Sequence, residues 1–149
     1  MTPNLLLELD RGAEALQVLQ PLIARLPKDA AAHGLLGRVL DRLSQADQAL
    51  DATRMAARLA PTEPRHLLQL CGLLNRAGNL EEAEEKARLV IAMAPNLPNA
   101  HYLLGIVQGR LNRIEEAVES VRRAIDLAPN DVRFQKYRDQ LMKQGEQDR

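Results

Sequence analysis

Three similar tetrapeptides recur along the chain at equal intervals: Leu59-Ala60-Pro61-Thr62, Met93-Ala94-Pro95-Asn96 and Leu127-Ala128-Pro129-Asn130. A weaker copy precedes them at Leu26-Pro27-Lys28-Asp29, so that four prolines lie 34 residues apart. A second series of four residues has the same period: Ala15, Ala49, Ala83 and Ala117. Self-similarity at a fixed period of about 20–50 residues indicates a repeat array. The chain is therefore interpreted as successive copies of one 34-residue unit.

Each unit divides into two predicted helices, and the unit that begins at Pro64 shows this most clearly. Proline suits the first turn of a helix, where its missing N–H is not needed. The apolar residues that follow have helical spacing on one face: Leu67, Leu70, Cys71 and Leu74. Gly78-Asn79 ends this helix, and a second helix is predicted from Leu80 to Met93. Residues that tolerate turn geometry occupy the equivalent mid-unit position in all four copies: Asp10, Ser44, Gly78 and Asn112.

A 34-residue helix-turn-helix unit with these residues resembles the tetratricopeptide repeat (TPR). The family has small residues at repeat positions 8 and 20 and proline at position 32, and position 8 holds Gly37, Cys71 and Gly105 here. The resemblance implies an all-α, right-handed superhelical solenoid of antiparallel helix pairs. It divides the chain into a partial N-terminal unit (1–29), three full units (30–63, 64–97 and 98–131) and a capping helix with a tail (132–149).

Some positions depart from the family pattern. Thr53 and Gln108 stand where the family usually has large residues, so weak helix packing is expected. Residues 132–145 predict a last helix with a polar outer side, which is typical of a solenoid cap. In the first unit, Pro21 lies inside the second helix and should kink it.

The first helix of the partial unit is short and rich in leucine, from Asn4 to Arg11. Exposed apolar surface favours association. We therefore expect either a homo-oligomer formed through the N-terminal unit, with contacts from Leu5, Leu6 and Leu9, or an upstream segment of the native protein that covers this edge.

The composition excludes several classes of protein. Twenty Lys and Arg balance twenty Asp and Glu, so no net charge attracts the chain to nucleic acid or to an anionic membrane. The single cysteine, Cys71, excludes an internal disulfide framework, and no apolar stretch is long enough to span a membrane. The N-terminus lacks the pattern of a secretion signal. These features predict a soluble cytoplasmic protein, and the excess of Arg over Lys suits a GC-rich bacterial genome.

The sequence contains no motif for catalysis, metal binding or a cofactor: no G-x-S-x-G, no Gly-rich phosphate loop, no H-E-x-x-H and no C-x-x-C. His33, His66 and His101 are interpreted as partly buried packing residues, and Cys71 as a small apolar residue at a close helix contact. The acidic cluster Glu81–Glu85 is interpreted as a solvated helix start. We predict a protein without catalytic activity, metal or cofactor.

The surface carries the functional prediction. In TPR proteins the first helices of the units line a concave face, to which repeat positions 2, 5, 9, 12 and 13 contribute most. Twenty residues of this chain fall at these positions, and eight of them are basic while one is acidic. The resemblance assigns partner binding to twelve: Arg38, Arg42, Arg65, Leu68, Asn75, Arg76, Asn99, Tyr102, Ile106, Arg110, Arg133 and Lys136.

Apolar residues among these arginines, such as Leu68, Tyr102 and Ile106, predict an acidic, partly hydrophobic peptide or helix as the partner. The alternative is that the arginines only solubilise an exposed helix face. Specific nucleic-acid binding is disfavoured because three aromatic residues offer little base stacking. Chaperone-binding relatives hold a terminal carboxylate at five positions that here read Gly34, Arg38, Gln69, Asn99 and Leu103, so their clamp is not expected.

The predicted function is a non-catalytic scaffold for protein–protein interaction. The alternative is a substrate-recruiting repeat arm of a larger enzyme of the glycosyltransferase or sulfotransferase type, which the truncated first unit favours.

Overall fold

The computed structural model describes residues 1–8 and 10–148, and all regular secondary structure in this part of the chain is α-helical. None of the described helices is long and apolar enough to cross a membrane. In chain order the helices are α1 (Pro3–Glu8), α2 (Gly12–Arg25), α3 (Ala30–Arg42), α4 (Ala46–Leu59), α5 (Pro64–Ala77), α6 (Leu80–Met93), α7 (Pro98–Arg110), α8 (Ile114–Leu127) and α9 (Val132–Gln147). The two-helix pattern predicted for each unit is confirmed, and α6 has the predicted bounds.

A left-handed turn follows α1, α3, α5 and α7. Backbone φ is positive at all four predicted turn residues: +59° at Asp10, Ser44 and Asn112, and +85° at Gly78. After α7 the Asn112 N–H donates to the Gly109 carbonyl (3.1 Å) and the Arg113 N–H donates to the Gln108 carbonyl (2.9 Å). These two bonds form a Schellman motif, which satisfies carbonyl groups at the helix end. The turn then leads directly into the second helix of the pair.

A side-chain hydrogen bond fixes three of the turns that precede a first helix. In each turn the carbonyl of the repeat proline accepts a bond from a residue six positions later: His33 to Pro27 (2.9 Å), His101 to Pro95 (2.8 Å) and Gln135 to Pro129 (2.7 Å). A carbonyl only accepts, so both histidines carry a proton on Nε2. Leu67 has the equivalent position after Pro61 and cannot donate.

The described residues form two compact units, one ending at Leu73 and the other beginning at Leu74, within α5. The core of the first unit includes Leu6, Leu7, Ala15, Leu19 and Val39. The core of the second includes Ala117, Val121, Ala124, Phe134 and Leu141.

The alanine series lies at close contacts between paired helices. All four alanines are completely buried. In the first compact unit, a Cβ at Gly37 would lie 3.2 Å from the Ala49 carbonyl oxygen. In the second compact unit, a Cβ at Gly105 would lie 3.1 Å from the Ala117 carbonyl oxygen. The small residues at repeat positions 8 and 20 therefore allow the two backbones to approach.

The structure corrects the expectation for the N-terminal leucines. Leu6 is buried in the core of its own unit beside Leu7 and Leu19, so its side chain is not available to another molecule. Burial of such a side chain stabilises a fold by about 1.5–3 kcal/mol. Leu5 is 41% exposed. Leu9 lies outside the residues that the structure describes.

Pro21 does not interrupt α2, which continues to Arg25 and has the same length as α4, α6 and α8. Pro21 and Gln17, whose carbonyl loses its helical hydrogen bond, are both exposed. Water can therefore satisfy the Gln17 carbonyl, which reduces the cost of proline inside this helix.

Polar residues that were expected to weaken the packing are buried with hydrogen bonds. Thr53 accepts a bond from the Gln69 amide (3.1 Å), and Gln108 accepts one from the Ser120 hydroxyl (2.7 Å). Glu84, expected to be solvated, is also buried and forms ion pairs with Arg88 (2.7 Å) and Arg113 (2.9 Å). These hydrogen bonds and ion pairs compensate for the free-energy cost of removing the polar groups from water.

Candidate functional site

The twelve residues predicted to bind a partner all lie on first helices, α3, α5, α7 and α9. None of them is fully buried: Leu68, Asn75, Tyr102 and Ile106 are half-buried and the other eight are exposed. Four belong to the first compact unit: Arg38, Arg42, Arg65 and Leu68. The other eight belong to the second compact unit.

In the first compact unit (residues 1–73), α1, α3 and α5 surround a cleft of about 670 Å³. Arg38 and Arg65 line it together with the apolar side chains of Leu35 and Leu68. The Arg65 guanidinium lies 3.6 Å from the Glu63 carboxylate, and this pair is exposed. The Arg38 Nη1 donates to the Asn4 side-chain oxygen at the long distance of 3.4 Å. Exposed contacts of this kind contribute little to stability, so both arginines remain available to a ligand.

Gln69 connects the helices around this cleft. Its amide nitrogen donates to the Gly34 carbonyl (3.0 Å) and to the Thr53 hydroxyl (3.1 Å), which lie on α3 and α4. The position of α5 relative to α3 is thereby fixed within the unit, and with it the spacing of the two arginines.

His66 also lines the cleft; the sequence identified it as a packing residue but not as part of this site. It is buried, and its Nε2 has no hydrogen-bond partner among the described residues. Its ring covers Gly34, because a Cβ there would lie 2.7 Å from the ring atoms Nδ1 and Cε1. Burial, followed by the positive charge of Arg65, lowers the pKa of His66 below its usual value. The glycine at position 34 was the sequence signal that a neighbouring side chain occupies this space.

In the second unit, Arg110 is held at the end of α5. Its Nη1 donates to the Asn75 side-chain oxygen (2.8 Å) and to the Asn75 carbonyl oxygen. A cation at the carboxyl end of a helix also interacts favourably with the helix dipole. Arg110 therefore has a fixed position, whereas Arg42 in the first compact unit forms an exposed pair with Asp10 (3.5 Å).

Three aromatic rings pack together where α7 meets α9. The ring centre of Tyr102 lies 4.6 Å from that of Phe134 and 5.8 Å from that of Tyr137. The Arg133 guanidinium stands 5.5 Å from the centre of the Phe134 ring and forms an ion pair with Asp131 (2.6 Å). Hydrogen bonding to Arg133 lowers the pKa of Asp131, and burial raises the pKa of Tyr137. Rings beside a guanidinium offer apolar contact and positive charge together.

Among the described residues, no group of three or more His, Cys, Asp and Glu side chains is close enough to hold a metal ion. Cys71 is completely buried at the small-residue position of its unit.

Comparison with known families gives two matches. A profile described as Tetratricopeptide repeat matches residues 4–64, and a second profile with the same description matches residues 98–131. The chain is a tetratricopeptide-repeat protein. No curated protein sequence gives a significant match.

Solved TPR structures resemble the fold of this TPR chain. MamA 41-end from Desulfovibrio magneticus RS-1 is 20% identical with a TM-score of 0.89, over 97% of this chain and 81% of that one. YrrB, "a TPR protein with an unusual peptide-binding site", is 23% identical with a TM-score of 0.85, over 92% and 71%. The first TPR of Spaghetti (RPAP3), bound to the HSP90 peptide SRMEEVD, is 19% identical with a TM-score of 0.74, over 76% and 90%. The predicted class, an all-α TPR solenoid, is confirmed.

Proposed function

We propose that this TPR protein is a non-catalytic scaffold that binds an acidic, partly hydrophobic peptide or helix on its first helices. The cleft of the first unit carries the proposal. Two arginines and two leucines line it, and the arginines have no strong internal partner that a ligand must displace. A peptide that presents a carboxylate beside an apolar side chain matches this lining.

The aromatic cluster of the second unit supports the same class of ligand. Tyr102 is half-buried beside Phe134, and Arg133 stands over that ring. An apolar side chain of the partner would contact the exposed part of the Tyr102 ring, because Phe134 is buried, while an acidic side chain would approach Arg133. We assign three further residues to the rim of this surface: Asn99, Ile106 and Lys136. The arginines that recur every 34 residues, Arg42, Arg76 and Arg110, would attract the acidic partner.

Two of the solved TPR structures favour a peptide over other ligands. YrrB is described as having an unusual peptide-binding site, and the Spaghetti domain was solved with a peptide that contains two glutamates and one aspartate. Both proteins share the fold of this chain, and on that basis we propose a peptide as its ligand.

The test uses two synthetic, fluorescently labelled peptides, one with alternating acidic and leucine-rich turns and one in which Gln and Asn replace Glu and Asp. Fluorescence anisotropy should detect binding of the acidic peptide only, and salt should weaken it because exposed charges are screened within about 8 Å at physiological ionic strength. The double variant Arg38→Glu/Arg65→Glu should bind about tenfold or more weakly.

Arg58→Glu is the matched control, because Arg58 is exposed on α4 and does not line the cleft. It should bind like the unmodified protein. Equal binding of both peptides, or no loss in the double variant, would contradict the proposal.

A further inference from the structure

α2 exposes an apolar stripe beside its buried face. Val18 and Leu22 are 41% and 36% exposed and lie one turn apart, and Leu26 follows at the end of the helix with 50% exposed. Residues at this spacing share one helix face. Ala15 and Leu19 are completely buried on the adjoining face of α2, since Ala15 lies three residues before Val18 and Leu19 three residues before Leu22. The stripe is therefore the exposed flank of the buried face of α2.

The charges beside the C-terminal end of this stripe are mainly positive. Arg25 and Lys28 lie next to Leu26 in a shallow pocket of about 450 Å³. The carboxylate in this pocket, Asp29, already accepts a hydrogen bond from the Ala32 N–H (3.0 Å) at the start of α3. We call Val18, Leu22, Arg25, Leu26 and Lys28 the donor stripe.

A groove of about 380 Å³ lies between α8 and the last turns of α9, within the second unit. Ile114, Val118 and Met142 give it apolar walls, and Met142 is 51% exposed. Gly145 allows α9 to approach α8, since a Cβ there would lie 3.2 Å from Ile114 Cγ2. The groove can accept apolar side chains from one face of a helix.

The rim of this groove is acidic. It carries the three carboxylates of Glu115, Glu119 and Glu146 against one guanidinium, that of Arg122, which forms an ion pair with Glu119 (3.2 Å). We call this the acceptor groove. Its apolar walls and acidic rim complement the apolar, basic donor stripe.

We propose that a second copy of this chain occupies the acceptor groove with its donor stripe, so that the molecules associate head to tail. The two surfaces differ, which makes the contact heterologous: an assembly of any length keeps one free stripe and one free groove at its ends, so it extends with concentration. Leu5 and the core residue Leu6 are not part of this contact. The proposal is independent of peptide binding, because neither surface shares a residue with the cleft of the first unit.

Sedimentation velocity over a wide range of concentration tests the proposal with three exposed substitutions. The average mass of the unmodified protein should rise with concentration. Val18→Glu in the stripe and Met142→Glu in the groove should each prevent this rise, whereas the control Leu89→Glu should not, because Leu89 is exposed on α6 outside both surfaces. Circular dichroism melting verifies that all variants are folded.

A mixture of the two blocked variants distinguishes head-to-tail contact from symmetric contact. Met142→Glu retains an intact stripe and Val18→Glu retains an intact groove, so an equimolar mixture should form a species with the mass of one heterodimer. A symmetric contact through the N-terminal unit would leave Met142→Glu fully able to associate, and that result would overturn the proposal.

Charge reversal gives a second test that leaves the apolar residues unchanged. Arg25→Glu/Lys28→Glu should weaken association about tenfold or more, and Glu115→Lys/Glu146→Lys should do the same. Association should return in a mixture of the two charge-reversed proteins. A protein that stays monomeric at every concentration, or a mixture that does not associate, would also overturn the proposal.

Discussion

Gly105 is a residue at which one added carbon should be costly. A Cβ at this position would lie 2.5 Å from Val121 Cγ2 and 3.1 Å from the Ala117 carbonyl oxygen. Val121 and Ala117 are completely buried, and protein interiors are close-packed, so a shift of either residue is costly. We predict that Gly105→Ala lowers the free energy of unfolding by about 1–3 kcal/mol, measured by urea denaturation.

Gly72→Ala is the control for this prediction. A Cβ at Gly72 would meet no heavy atom of the described chain within 4 Å. Alanine inside a helix is favoured over glycine by about 0.5–1 kcal/mol, so Gly72→Ala should stabilise the protein. If both variants were equally stable, the interpretation of Gly105 as a close contact would be wrong.

The buried His66 should make stability depend on pH. Burial lowers its pKa in the folded chain, while in the unfolded chain the pKa is close to 6.5. The unfolded chain therefore binds this proton more readily, and the free energy of unfolding should fall as pH decreases below about 6.5. Urea denaturation at a series of pH values should show this loss, and His66→Gln should reduce it.

His33→Gln is the matched control, because Gln135 already provides the same hydrogen bond to a repeat proline in another turn. This variant should keep the pH dependence of the unmodified protein. If the stability of His66→Gln kept the pH dependence of the unmodified protein, a group other than His66 would be its cause.

At the scale of helices and turns, a single backbone conformation ends each first helix. Ser44 adopts φ of +59° although it has a Cβ, whereas Gly78 adopts φ of +85° without one. The left-handed conformation costs roughly 1–2 kcal/mol for an ordinary residue and less for Asn or Asp. Ser44→Gly should therefore raise Tm, Asn112→Gly should raise it less, and Gly78→Ala should lower it. Calorimetry would contradict this explanation if Gly78→Ala melted at the temperature of the unmodified protein.

Helix ends were predictable from the sequence because they depend on local chemistry. Pro64 and Pro98 begin helices, and α6 runs from Leu80 to Met93 as predicted. Proline restricts φ and lacks an N–H, and glycine or asparagine permits positive φ, whatever the surrounding fold. The period of 34 then applies the same local rule to each copy.

Contacts between helices were harder to predict because they depend on distances that the repeat period does not contain. Glu84 and Arg113 are 29 residues apart, and their ion pair requires that α6 meet the turn between α7 and α8. His66 lies one position away from the repeat phase of His33 and His101, so its burial over Gly34 was not apparent. The twelve residues assigned to the partner surface remain a prediction for the same reason.

At the scale of the whole molecule, repeat proteins gain stability from each unit and from contacts between neighbouring units. Contacts therefore connect helices that are close in sequence, and a local defect need not unfold distant helices. The two compact units of this chain allow a direct test, because each has a completely or almost completely buried leucine in its own core: Leu19 in the first and Leu141 in the second.

We predict that the same substitution at these two leucines has separate effects. Leu→Ala in a core costs about 2–5 kcal/mol because it removes apolar contacts and leaves a cavity. In hydrogen exchange, Leu141→Ala should accelerate amide exchange in α7, α8 and α9 and leave α2 and α3 near their original rates, whereas Leu19→Ala should do the opposite. Each variant is the control for the other, since the chemical change is identical. If either substitution accelerated amide exchange in all helices, the chain would unfold as one cooperative unit. The two compact units would then not unfold separately.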